Sequence, residues 1–88
     1  MKNPRKFDSE AFLERLKRFG NRCQRLASAL PRTQYNFEYG DQLIRSSASP
    51  GSNYIEALEA LGKKDFIFKL RTCRKETRES VYWLDLIK

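Results

Sequence analysis

The sequence predicts an all-α fold, a helical bundle, and three observations lead there. Two segments carry apolar residues at heptad spacing, and a third long segment keeps a helical pattern through a serine-rich stretch containing Pro50. No run alternates long enough to argue for a strand, since Tyr35, Phe37 and Tyr39 stand alone. At 88 residues the chain makes one domain, 1–88, too small to bury a generous core by itself.

The first helix is expected at about 9–30. Phe12, Leu16, Phe19, Cys23, Leu26 and Leu30 form its seam, Asp8 or Ser9 would cap it, and Pro31 must end it. Gly20, inside this pattern, weakens the helix by about 1 kcal/mol relative to alanine, which points to a neighbouring helix at close approach.

The second helix is expected at about 34–61, kinked near Pro50, with Phe37, Ile44, Ala48, Gly51, Ile55 and Leu58 near its apolar face and Leu43 beside them. Pro50 lacks an amide hydrogen and crowds the carbonyl four residues back, that of Ser46. Ser46, Ser47 and Ser49 offer hydroxyls there, and Ala48 and Gly51 leave room for another backbone. A tightly packed helix crossing with Pro50 buried is the expectation.

The third helix is expected at about 65–87, after a connection at Gly62, Lys63 and Lys64 and with Asp65 as its cap. Phe66, Leu70, Cys73, Thr77, Val81, Leu84 and Ile87 form its seam. No stop signal follows Leu84, so the chain reads either as a fragment or as ending in a fraying helix. Three such amphipathic helices want a fourth, here missing or truncated.

Composition narrows the chemistry. There is no histidine, the commonest metal ligand and general base, and only Cys23 and Cys73, both on apolar seams where a thiol acts as a small hydrophobe. No metal, cofactor or disulfide is expected. The amino-terminal MKNPRKFDSEAF has no apolar run behind its basic residues, and no window is long enough to span a bilayer, so a reduced cytoplasm is expected.

Net charge is +7 and unevenly spread. Residues 1–32 carry nine Lys/Arg against three acids, residues 33–62 one against four, and residues 63–88 eight against four. Arg15, Arg18, Arg22 and Arg25 recur at helical spacing about 100° from the first seam, and Lys64, Arg71, Lys75, Arg78 and Tyr82 do so beside the third. These two ridges are the candidate contacts for RNA or DNA, made mainly to phosphate, with Tyr35, Tyr39 or Tyr82 as stacking groups. The plain alternative is a solvated surface, or one that meets an acidic protein partner.

Arg45, Ser46, Ser49, Asn53, Glu56 and Glu79 form a polar set expected to pair across helices and fix their register. Glu56 and Glu79 could also suggest acid–base catalysis, but no histidine, phosphate cradle or nucleophile accompanies them, so no catalytic residue is assigned. Trp83, on the flank of the third helix, suits a subunit contact and equally well burial against the missing fourth helix.

LASALPRT at 26–33, QLIRSSASPGSNYIEA at 42–57, KKDFIFKLRTCRKETRES at 63–80 and YWL at 82–84 resemble the four-helix bundle proteins encoded by intervening sequences in bacterial large-subunit ribosomal RNA genes. The resemblance covers roughly residues 12–87. It implies an up-and-down antiparallel four-helix bundle that assembles into a ring, typically a pentamer, in bacterial cytoplasm. More remotely, the chain is similar to the basic accessory proteins of diversity-generating retroelements, which work with a reverse transcriptase and nucleic acid. The family usually continues past YWL into a fourth helix. Two functional expectations follow: a non-enzymatic, self-associating bundle that holds nucleic acid on its basic faces, or a scaffold for protein partners.

Overall fold

The computed structural model describes residues 7–87, which form three helices and no strand: α1 Ser9–Ser28, α2 Gln34–Leu58 and α3 Lys63–Leu86. Each begins where backbone chemistry allows. The Asp8 carboxylate accepts from the Ala11 amide at 3.1 Å and the Thr33 hydroxyl from the Asn36 amide at 3.2 Å, satisfying amides that have no partner within their own helices. Asn36 adds a bond from its side-chain amide to the Pro31 carbonyl at 3.1 Å, which pins the turn between α1 and α2.

Helix ends differ from expectation by a few residues. α1 stops at Ser28 and α2 at Leu58, each two or three residues early, because the following segments turn toward the next helix before Pro31 and Gly62 are reached. α3 starts at Lys63, with Gly62 in extended conformation before it, so Asp65 lies in the first turn and is not the cap. A carboxylate in that turn still meets the positive end of the helix dipole.

α2 is the central element. α1 and α3 both pack on it, no Cα of α1 comes within 8 Å of one of α3, and the molecule measures 54 × 27 × 17 Å. Along α1 the partners are Ser9 with Tyr54, Leu16 with Gly51, Gly20 with Ser47 and Ala27 with Gly40. Along α3 they are Lys69 with Glu56, Cys73 with Pro50, Ser80 with Ser46 and Trp83 with Tyr39.

The buried face of α2 is not the one expected. Asn36, Gly40, Leu43, Ser47, Pro50, Tyr54 and Ala57 are buried, a heptad series displaced by one residue from Phe37, Ile44, Ala48, Gly51, Ile55 and Leu58. Phe37 is 79% exposed, and Ile55 and Leu58 about half exposed. The physical reason is spacing between backbones. The buried series includes the small residues Gly40, Ser47 and Ala57, which let two helices approach α2 at once, and bulk like that of Phe37, Ile44 and Ile55 at those positions would hold them apart.

Gly20 shows how close that approach is. A Cβ there would lie 3.2 Å from the Ser47 carbonyl oxygen, and one at Gly40 would lie 3.3 Å from the Ala27 Cβ. At Gly51, by contrast, a Cβ would find ordinary contact at 3.9 Å, so the close approach lies at Gly20 and Gly40. Replacing Gly20 with valine should destabilise the protein by about 1–3 kcal/mol, read as a lower urea midpoint, because α1 must lift from a backbone carbonyl that cannot rotate away.

α2 continues through Pro50, which is buried. The Ser46 and Ser47 hydroxyls bond the carbonyls of Leu43 and Ile44, three residues back, at 3.4 and 3.3 Å. The Pro50 carbonyl itself accepts from the Cys73 thiol at 3.2 Å, tying the crossing to α3.

Candidate functional site

The α1 arginines stand beside the first seam, and the fold turns that position into the rim of a groove. Arg15, Arg18 and Arg22 line it together with Phe19, Cys23 and Leu26, and Leu84 of α3 closes the far side around a volume of about 620 Å³. The groove exists because α1 and α3 both rest on α2 without meeting, leaving apolar side chains of their seams facing an open channel. Arg25 is exposed in the last turn of α1, where a cation meets the negative end of the helix dipole.

Lys64, Arg71, Lys75, Arg78 and Tyr82 are all exposed on α3. Their ridge is not beside the buried seam, as expected, but about 150° from the line through Leu70, Cys73, Thr77, Ser80 and Leu84 by helical geometry. It therefore faces away from α2. Among the described residues none of its four cations lies in an ion pair; the pairs are Lys17 with Glu14, Arg45 with Asp41 and Lys69 with Glu56. From Lys64 to Tyr82 the ridge extends about 27 Å. Arg74, exposed on the same helix, was not singled out in the sequence because it falls off the ridge spacing.

The polar set divides into separate local groups. Ser46 does reach across, its hydroxyl 2.8 Å from that of Ser80, both buried. Glu56 reaches Lys69 at 2.7 Å, and this bond raises the lysine pKa. Asn53 donates only within α2, to the Ser49 hydroxyl at 2.8 Å and the Ser49 carbonyl at 3.0 Å. Arg45 is exposed and pairs with Asp41 of its own helix at 3.3 Å, and Glu79 is exposed. Glu56 and Glu79 thus have no common neighbour that would make them an acid–base pair.

Three residues outside the sequence reading hold the crossing. Tyr54 is buried, donates to the Ser9 hydroxyl at 2.8 Å and meets the Phe12 ring edge-on at 4.9 Å. Ser80 and Lys69 complete the α3 side. Tyr54 could have been found from its heptad spacing to Leu43, Ser47 and Pro50; Ser80 carried no such signal, being one serine on a polar helix.

Trp83 is half-buried inside its own protomer. Its ring lies 6.1 Å from Tyr39 and 5.1 Å from Tyr82, and Tyr39 continues the row to Tyr35 at 6.3 Å. The buried indole Nε1 has no acceptor among the described residues.

Cys23 and Cys73 are buried and free. Burial raises both thiol pKa values, opposed at Cys23 by a hydrogen bond with Ser47 and the nearby Arg22 charge. The folded state then holds each thiol proton more tightly than the unfolded chain does. That stability is intact below the ordinary thiol value of 9.0 and declines as pH rises past it. A chain with both cysteines changed to alanine should lack this alkaline decline in urea titrations, whereas an equal decline in both chains would contradict the assignment. No group of three or more metal-ligating side chains gathers among the described residues, and no described helix is long and apolar enough to cross a membrane.

Fold and surface together define a small all-α protein with exposed cationic helix faces. The family model for the 23S rRNA-intervening sequence protein matches residues 11–88, and the chain belongs to that family. No curated protein and no solved structure matches it.

Proposed function

We propose that this is a non-enzymatic, self-associating helical bundle protein of the cytoplasm that holds RNA or DNA through phosphate along the outer face of α3. The observation that carries the reading is the ridge of Lys64, Arg71, Lys75 and Arg78, exposed, directed away from the protein's own core and without ion pairs among the described residues. Cations in that state gain most from a polyanion, because condensed counterions are released when they meet phosphate. Tyr82, at the end of the ridge and about half exposed, supplies a ring face for an unpaired base.

The antiparallel arrangement is supported by the order of the helix contacts, whose residue numbers rise along α1 and α3 as they fall along α2. A four-helix arrangement is supported by the open channel between α1 and α3, where Phe19, Leu26 and Leu84 lack a helix to cover them. Self-association, including the ring, typically a pentamer, that the family resemblance implies, would cover apolar side chains now in water: Phe37, Ile55, Leu58, Phe68 and Val81. The absence of histidine and the separation of Glu56 from Glu79 support a role without catalysis.

Retention of labelled single- and double-stranded oligonucleotides at low and moderate salt tests the nucleic-acid part. Binding that weakens steeply with salt and little with sequence is expected; no retention of any of them at low salt would remove it. The second reading, a scaffold for a protein partner, is favoured by one observation, the apolar floor of the α1–α3 groove. It would be preferred if the protein captured an acidic helix and no nucleic acid.

A further inference from the structure

The basic ridge of α3 runs into a row of aromatic rings. Tyr82, its last member, lies 5.1 Å from Trp83, Trp83 lies 6.1 Å from Tyr39 of α2, and Tyr39 lies 6.3 Å from Tyr35, centroid to centroid. The row thus leaves the outer face of α3 and crosses onto α2. Its two ends face solvent, Tyr82 at 55% and Tyr35 at 61% exposed, while Trp83 and Tyr39 are half-buried between them. Contacts that rise in number along α3 fall in number along α2, from Lys69 with Glu56 to Trp83 with Tyr39. Tyr35 therefore lies farther on in the direction in which the ridge ascends, and ridge and row form one continuous path.

Charge divides along the same line. Lys64, Arg71, Lys75 and Arg78 stand on the ridge, with Arg78 one helical turn before Tyr82. On the Trp83 side, Glu79 is exposed one turn before the indole, and Glu38 is exposed between Tyr35 and Tyr39. Phosphate is drawn to the first side and repelled from the second, whereas a neutral base is repelled from neither.

We infer that the site takes a single strand in preference to a duplex, a preference that rests on the phosphate-binding ridge proposed above and adds the class of nucleic acid held there. The phosphates of the strand follow the four cations, and its unpaired bases turn onto Tyr82 and Tyr35. In a duplex the base faces are stacked on one another and the phosphates are outermost. A duplex therefore meets the ridge with attraction, but over the row it sets phosphate against Glu38 and Glu79 and offers the rings no base face.

Trp83 is the one tryptophan of the chain and its ring lies against Tyr82, so its fluorescence reports on the row. The full chain is titrated at moderate salt, where the phosphate part of binding is weak, with an oligothymidylate, a duplex of the same length and inorganic polyphosphate, which has the charge and no bases. Oligothymidylate should bind at least about 10-fold more tightly than the other two and alone change the Trp83 emission. Y35A/Y82A, both at exposed positions, should lose about 5- to 150-fold in oligothymidylate affinity per ring and keep its duplex affinity and helix content, whereas Y35F/Y82F should bind as wild type. Duplex bound as tightly as the single strand, oligothymidylate bound without a change in emission, or a Y35A/Y82A chain whose strand affinity is unchanged or falls only in step with its duplex affinity would each overturn the preference while leaving the ridge standing. Failure of all three polyanions to bind at low salt would overturn both.

Discussion

Leu43→Ala will remove about 2–5 kcal/mol of stability, whereas Ile44→Ala, one residue along, will remove about 1 kcal/mol or less from the monomer. Leu43 is fully buried, between positions of α2 that meet α1 (Gly40 and Ser47) and positions that meet α3 (Ser46 and Pro50), so alanine there leaves a cavity. Ile44 is 37% exposed on the neighbouring heptad series. A domain of this size has a total stability of about 4–13 kcal/mol, so the first substitution takes a large share of it. Urea midpoints at a concentration where the protein is monomeric provide the comparison. A larger loss from Ile44→Ala would mean that α2 is rotated by one residue from the register described above.

Reversing three charges on the outer face of α3, R71E/K75E/R78E, will abolish oligonucleotide retention at low salt and leave both the helix content and the scattering mass unchanged. The three side chains are exposed and form no ion pair among the described residues, so their reversal disturbs little in the fold. Against phosphate the same change replaces attraction with repulsion at three points along one ridge. Retention equal to that of wild type would assign the polyanion to another face. Loss of mass along with binding would mean that α3 serves in assembly.

Much of the fold was legible because apolar residues at heptad spacing dominate α1 and α3, and because Asp8 is a strong cap. Gly20 was legible for a sharper reason. A glycine inside an amphipathic helix needs a cause, and the Ser47 carbonyl is that cause. The face of α2 was misread because two heptad series run side by side on it, and the more hydrophobic one is not the buried one. Small residues at Gly40, Ser47 and Ala57 score poorly as core, yet they are what permits two helices to pack against a third. Within the polar set, Arg45 and Asn53 were misread for a related reason: spacing alone did not reveal that Arg45 has Asp41 four residues before it and that Asn53 can satisfy itself on Ser49. The α1 ridge lies where helical geometry put it, but only the fold shows that it borders an apolar groove, whereas the α3 ridge opens to solvent.

The salt dependence of oligonucleotide affinity tests the central claim, that the α3 ridge is the phosphate-binding surface, most directly. Removing the three charges with R71A/K75A/R78A should reduce the slope of log affinity against log salt by about 2 for a single strand and about 3 for a duplex. An unchanged slope, with wild-type affinity across the salt range, would contradict it.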